Sequence, residues 1–453
     1  MISIFYAVLA VYFILGTAIS LLAKRGIANA EDYYIGGRKI GGIVSALTYA
    51  ATTYSAFMMV GLVGFTYVTG VGSAGFELMY FVGTIFLLSF YAERIWKISK
   101  EKGFISPAEF FKEKFGDFVA KSSVFLSLVA LIPYTSIQFI GMALIFEQCL
   151  GISYWHGILL AIVLVFLWAF VGGLRSVAWT DALQGIIMIA AAVLAVIWTF
   201  KVISLKGIIQ LPENLVMIPN EFWTLKRYLA FVTPWFFFSL TNPQVFQRLF
   251  ILKDRSSIRT MVKYFGTFGL VYTILVTLFG LELRILSELD VFPKVSEIDK
   301  VTPIFLTFAP ETISALIMIS VIAASVTTAN SIILTLSSMV SRDIVKSDRI
   351  SIGRLSILIL TLLCAIFALH RPYYIVKLAV LSSTLLLSQL PLVVGAIHFK
   401  FGGKVSGMAS LFSGFVSAIA LSSLKLEPLG VPIPIWVIFI SFISYFVALI
   451  YER

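Results

Sequence analysis

Long apolar runs, separated by short polar and mostly basic stretches, repeat along the whole chain. About 13 of them reach membrane-spanning length, roughly 20 residues. Their approximate positions are 2–22, 42–69, 74–95, 118–149, 154–172, 179–202, 227–249, 261–285, 305–339, 352–369, 373–397, 406–424 and 433–451. A membrane barrel would show alternating segments of about ten residues instead, and none is evident. The pattern predicts an all-α integral membrane protein with about 13 transmembrane helices. Several runs exceed the bilayer thickness, which predicts tilt, kinks or breaks. Two runs look interrupted. The second, "SALTYAATTYSAFMMVG", gathers Thr48, Tyr49, Thr52, Thr53, Tyr54 and Ser55 at its middle. The seventh, "TPWFFFSLTNPQVFQR", sets Pro234 and Pro243 on either side of a short apolar stretch. Each Pro lacks a backbone donor and clashes with the preceding turn. Unpaired backbone at membrane depth is tolerated only inside protein or beside water.

Composition strengthens the membrane reading. The chain is 60% hydrophobic and only 13% charged, with mean hydropathy +1.00, whereas soluble domains carry roughly 25% charged residues. The first run lacks a basic leader and a small-residue cleavage site, so it reads as a retained helix. Two lone cysteines, Cys149 and Cys364, support neither a disulfide framework nor a metal cluster. The net charge of +11 would fit nucleic acid, but its placement argues otherwise. With the N-terminus outside, Lys and Arg concentrate in the inner loops while Asp and Glu divide evenly, as the positive-inside rule describes. The C-terminus is then cytoplasmic.

The two interrupted runs lie five runs apart. Runs 2–6 and 7–11 are therefore candidates for two five-helix halves of opposite orientation, since five is odd. Matching interrupted helices in two halves point to a transport site near the bilayer midplane. The predicted units are 1–24, an extra N-terminal helix; 40–203 and 226–398, the two halves; and 404–453, two C-terminal helices.

The stretch "VIAASVTTANSIILTLSSMVSRD", Val321 to Asp343, clusters Ser325, Thr327, Thr328, Asn330 and Ser331 in an otherwise apolar run. A hard monovalent cation is satisfied by hydroxyls and freed carbonyls, and Ser or Thr bonding back to the i−4 carbonyl bends the helix. The plainer alternative is close helix packing and interhelical hydrogen bonding. Asp181, in "WTDALQ", has a plain alternative too, as a helix-start acid favoured by the macrodipole.

Three stretches, "EDYYIGGRKIGG" (31–42), "GGLRSVAWTDALQG" (172–185) and "AASVTTANSIILTLSSMVSRD" (323–343), together resemble the sodium/solute symporter family, which includes sodium-coupled proline, pantothenate, sialic acid, sugar and monocarboxylate carriers. The resemblance implies a leucine-transporter-type 5+5 inverted repeat with one extra helix before and two after the core. It implies a sodium site at Ala51, Tyr54, Ala324, Thr327 and Thr328, and an Asp near the inner exit of the ion at Asp181. Ser55 and Trp235 fall where proline carriers use Ser and Trp. Thr53 falls where they have Asp, which weakens a proline assignment.

The substrate pocket is expected between the two breaks, with candidates Thr53, Ser55, Met58, Tyr134, Gln138, Trp235, Phe238, Ser239, Asn242 and Ser383. Tyr134 and Gln138 share a helix face. Interhelical bonding for Gln138 and simple packing for Trp235 and Phe238 are the alternatives. Glu77 and Glu147 sit near outer helix ends, where solvation is expected. No Arg or Lys falls deep in runs 2, 4, 7 or 11. His156, His370 and His398 lie near run ends, unclustered. The expected activity is sodium-coupled symport of a small organic solute by alternating access across the plasma membrane, with sodium as coupling ion and no organic cofactor. The partners expected are the solute, sodium and the bilayer, without nucleic acid or an obligate protein. Proton coupling is the alternative, ranked second for want of an intramembrane carboxylate. A channel, a sensor and an enzyme lack the filter, the signalling domain and the catalytic clusters they would need.

Overall fold

The computed structural model describes residues 2–207, 211–370 and 375–452. Positions 373–374 of the eleventh predicted run, 208–210 of a predicted outer connection and the terminal Arg453 lie outside them. The described residues are helical or loop. A single isolated bridge, between Ile40 and Leu252, is their only β pairing.

The helices that concern the site are α1 (Ile2–Ala23), α2 (Ala30–Ile35), α3 (Gly42–Thr53), α4 (Phe57–Thr69), α5 (Val71–Lys102), α6 (Pro107–Phe115), α7 (Asp117–Leu150), α8 (Tyr154–Lys206) and α9 (Leu225–Phe236). They continue with α10 (Phe238–Thr241), α11 (Pro243–Gln247), α12 (Arg255–Glu288), α13 (Val301–Phe308), α14 (Glu311–Ile344), α15 (Ile350–Leu369), α16 (Ile375–His398), α17 (Lys404–Leu424) and α18 (Ile433–Tyr451).

Among the described residues, ten helices are long and apolar enough to cross a membrane, or eleven when the bent pair α3–α4 is counted as one span. The expected count of about 13 is not reached by helix length alone, and the differences have local causes. The runs 154–172 and 179–202 form one helical stretch, α8, of 53 residues. At 1.5 Å per residue that is about 80 Å, far more than one crossing of a 30 Å core requires. Its backbone leaves the helix at Gly173, with φ 52° and ψ −146°. The run 227–249 is three short helices, α9 to α11, none of spanning length. The ninth run, 305–339, is divided near Pro310 into α13 and α14.

Burial ranks the helices by their neighbours. In α14, 83% of the most apolar window is covered by protein, against 28% in α1 and α18. So α14 is the axis of the bundle, packed on α8, α7, α3 and α1, while α1 and α18 present most of their apolar surface outward. This explains why α14 tolerates hydroxyls all round: its environment is protein, where they find partners.

At the end of the bundle where α3 begins, the path is covered. Arg38 donates to Glu31 Oε1 at 2.8 Å, to the Phe104 carbonyl at 2.6 Å and to the Phe250 carbonyl at 3.3 Å. Burial pulls its guanidinium below the ordinary arginine value. Helix α6 starts with a capping box between Ser106 and Glu109, and the same Ser106 hydroxyl donates to Asp343 at the end of α14, at 2.5 Å. Gln247 reaches the Ile105 carbonyl at 2.8 Å. At the opposite end a cavity of about 500 Å3 opens, lined by Ile140, Leu144, Glu147, Ile298, Lys300 and Ile375 among others.

Candidate functional site

The two predicted interruptions are real, and they fall where the polar clusters and prolines were. Helix α3 stops at Thr53 and α4 starts at Phe57, with the two axes bent by 53°. Tyr54 takes an extended conformation, φ −96° and ψ 97°. The break between α10 and α11 lies at Asn242, also extended, with Pro243 as the first residue of α11, where its missing N–H costs nothing. Pro234 instead lies inside α9, which ends two residues later.

At the break in α3 the hydroxyls of α14 converge on a single carbonyl. Thr327 Oγ1 donates to the Ala51 oxygen at 2.7 Å, and Thr328 Oγ1 lies 3.3 Å from the same atom. Thr327 Oγ1 is also 3.0 Å from the Ala324 oxygen. Four of the five oxygen donors expected from the sequence thus occur together, all fully buried. The fifth residue, Tyr54, lies at the break, with its amide on the Ala50 carbonyl at 2.8 Å. The donor set is oxygen only, and no group of three or more His, Cys, Asp or Glu among the described residues is arranged to hold a metal. Such a set suits a small hard monovalent cation rather than a transition metal.

One turn before Ala51, a second polar group is built around Asp181. Thr48 Oγ1 donates to Asp181 Oδ2 at 2.5 Å, and the Arg248 Nη2 lies 3.9 Å from the same oxygen. Arg248 Nη2 also donates to Ser331 Oγ at 2.5 Å, and Ser331 shares a 2.8 Å hydrogen bond with Thr52 Oγ1. All five side chains are fully buried. The sequence placed Arg248 in a basic inner loop and Asp181 at a helix start. Here both are inside the bundle, so the expectation that no basic residue lies deep in run 7 is corrected. Hydropathy had no means of finding this, because a paired charge at a run boundary reads like a solvated one.

The substrate candidates partly gather. Gln138 Oε1 accepts from the Ala56 amide at 3.1 Å, so α7 caps the break directly. Ser55 Oγ accepts from the Phe57 amide at 3.1 Å. Trp235 stacks on Phe238 (5.5 Å between centroids, 8°) and on Phe57 (5.4 Å, 29°). Tyr80, which the sequence did not single out, meets Trp235 at 5.1 Å, Phe238 at 5.5 Å and Tyr54 at 6.4 Å. Thr53 Oγ1, Tyr134 OH, Gln138 Nε2, Trp235 Nε1 and Ser239 Oγ are buried without a hydrogen-bond partner, a state that is costly unless something occupies the space between them. Met58 is buried at the start of α4. Asn242 reaches only its neighbour Thr241, at 3.3 Å, and Ser383 is buried on α16, which packs on α9.

Glu77 is the larger correction. It was expected to be solvated near an outer helix end. It is fully buried, and neither carboxyl oxygen has a hydrogen-bond partner. The ground on which proton coupling ranked second, the lack of an intramembrane carboxylate, falls with it. Glu147 is exposed, as expected. Of the residues of α14 read as packing, Ser325 bonds back to the Val321 carbonyl at 2.8 Å. Asn330 does not make the interhelical bond expected of it, both its amide atoms being unpartnered.

Broken helices on either side of a buried polar centre, in a bundle of apolar spans, define a transport protein rather than a receptor or a pore-forming barrel. The model of the sodium:solute symporter family matches residues 33–399, so the chain belongs to that family. A sodium/proline symporter of Staphylococcus aureus is 26% identical over 442 residues, covering 89% of this chain and 84% of that protein. Among solved structures, a substrate-bound, outward-open sodium-coupled sialic acid symporter superposes with a TM-score of 0.82 at 17% identity, over 98% of this chain and 96% of the other. A nucleobase-cation-symport-1 transporter in a closed conformation follows at TM-score 0.59 and 13% identity, over 93% of this chain and 94% of the other. The relatives are symporters, not enzymes. These likenesses fix the fold and the family; at such identities they carry no substrate.

Proposed function

We propose that the protein is a secondary transporter that couples inward sodium flow to uptake of a small organic solute. The observation that carries this reading is the convergence of Thr327, Thr328 and the Ala51 and Ala324 carbonyls on one buried point beside a broken helix. Sodium there, completed by the Tyr54 carbonyl, ties α14 to α3. In its absence the hydroxyls satisfy the carbonyls instead, as they do here. The ion therefore replaces hydrogen bonds between two helices with shared coordination, and its arrival stiffens the break that also borders the solute pocket.

The halves 40–203 and 226–398 form an inverted repeat whose relative motion alternates access, within about 13 crossings in all. The N-terminus lies outside and the C-terminus in the cytoplasm, in keeping with the basic inner loops. The cover formed by Arg38, α6 and Asp343 is then cytoplasmic, and the cavity at Ile140 and Leu144 opens outward. Asp181 stands on the inner side of the ion site, where it receives sodium on release. Thr53, Ser55, Met58, Tyr134, Gln138, Trp235, Phe238, Ser239, Asn242 and Ser383 line or frame the pocket. Coupling is reciprocal: if sodium raises solute affinity, solute raises sodium affinity by the same factor.

Proline is supported by the S. aureus relative and disfavoured by Thr53. One observation favours a proton in place of sodium, the buried carboxyl of Glu77. The deciding experiment is uptake into liposomes under an imposed sodium or proton gradient, with labelled proline, pantothenate, lactate or pyruvate, sialic acid and sugars. Uptake that follows a proton gradient and ignores sodium would overturn the sodium reading.

A further inference from the structure

We infer that Glu77 and the aromatic side chains around Trp235 form an ammonium subsite, so that the solute carries a positively charged nitrogen: an amine, a quaternary ammonium compound or an amino acid. This rests on the pocket assignment above and narrows its substrate class.

Glu77 sits on the face of α5 that looks into the pocket. Its neighbours on that face are Phe76 and, one turn on, Tyr80. Phe76 meets the Trp235 ring at 6.1 Å, and Tyr80 meets Trp235, Phe238 and Tyr54. The carboxyl is thus held beside both broken helices. Among the described residues no hydrogen bond or ion pair reaches it. A buried carboxylate without a counter-charge is strongly disfavoured, so the site is incomplete as it stands. Arg248 does not complete it, since its guanidinium faces Ser331 and Asp181.

The remaining surroundings indicate the sign of the missing charge. Trp235, Phe57, Phe238, Phe76 and Tyr80 offer ring faces of negative potential, which attract cations and repel anions. The unpartnered hydroxyls of Tyr80 and Tyr134 and the amide of Gln138 leave hydrogen-bonding capacity for the rest of a polar solute. A solute that is only an anion would meet Glu77 as a like charge in a medium that screens little.

The test uses the purified full-length protein in nanodiscs. Binding of proline, glycine betaine and choline is measured calorimetrically beside pyruvate, lactate and glucose, for wild type, Glu77→Gln and Glu77→Asp. Stabilisation by sodium is read separately as a shift in thermal midpoint. The ammonium-bearing probes are expected to bind wild type, to bind Glu77→Gln about 100-fold more weakly, as for truncation of one member of a buried charge pair, and to recover in part with Glu77→Asp. The sodium shift is expected to persist in Glu77→Gln, which also shows that the variant is folded. Failure of every ammonium-bearing probe to bind overturns the inference, as does equal binding by Glu77→Gln. A missing sodium shift in a wild type that still binds the ammonium probes removes the sodium reading and leaves this one standing.

Discussion

Thr48 and Asp181 are joined by a 2.5 Å hydrogen bond one turn of α3 before Ala51, whose carbonyl accepts from Thr327. The bond makes Asp181 a neighbour of the ion site through a single helical turn, and Arg248 at 3.9 Å gives the carboxylate its counter-charge. Asp181→Asn leaves Arg248 buried without one. Removing one partner of a buried pair costs about 3–5 kcal/mol, so a marked fall in the thermal midpoint of the purified protein is expected, together with slowed sodium-driven uptake. The double variant Asp181→Asn, Arg248→Gln should recover part of the lost stability. Strictly additive losses in the double variant would show that the two groups do not interact.

The two threonines of α14 are unequal. Thr327 Oγ1 reaches two carbonyls, at 2.7 Å and 3.0 Å, and Thr328 Oγ1 one, at 3.3 Å. Each alanine substitution should raise the sodium concentration for half-maximal uptake, with Thr327→Ala the larger effect, of about tenfold if one hydroxyl is worth about 1 kcal/mol or a little more. Thr327→Ser keeps the oxygen and should lie close to wild type. Uptake measured against sodium concentration decides it, and an unchanged sodium dependence in both alanine variants would tell against the site.

Gly173 holds a backbone conformation that residues with a side chain rarely adopt, and a Cβ there would collide with the Tyr33 carbonyl. Gly173→Ala is therefore expected to abolish accumulation of folded protein, the close approach adding to the strain of the dihedral angles. Gly75 supplies the control: it lies within α5, and its Cβ would meet only ordinary contacts at 3.7 Å to Tyr228. Gly75→Ala should express at wild-type level. Fluorescence-detected size exclusion of both variants makes the comparison.

Topology can be read by labelling. Cys149 and Cys364 are both buried, so background reaction with a membrane-impermeant maleimide should be low. Leu429 is 90% exposed in the connection between α17 and α18, which the proposed orientation places outside. Leu429→Cys should be modified in intact cells and Glu101→Cys only after permeabilisation. The reverse pattern would invert the molecule.

What the sequence made legible was mostly the backbone. The hydroxyl cluster at 48–55 and Pro243 marked breaks because each changes what the main chain can bond to, and that information is local. The Gly-Gly pair at 172–173 separated two runs for the same reason. Glu77, Arg248 and Tyr80 were missed because their significance depends on which helices surround them. A hydrophobic run reveals that a segment is buried in something apolar, without distinguishing lipid from neighbouring helices. A charge near a run end therefore reads as solvated, and for Glu77 and Arg248 that default fails. Asp181 was singled out only through the family resemblance; its position alone favoured a helix-start role, and the Thr48 hydrogen bond shows how far inside the bundle it lies.

The 53° break between α3 and α4 has a directional consequence. Two collinear halves would cancel their end charges where they meet. Separated by the bend, the C-terminal end of α3 keeps its partial negative charge and the N-terminal end of α4 its partial positive charge, with Gln138 neutralising only one of the amides at the α4 end. The gap is thus polarised along the membrane normal before any ion or solute arrives. An elongated polar molecule entering it is oriented by the backbone first, and its side-chain contacts form within that orientation.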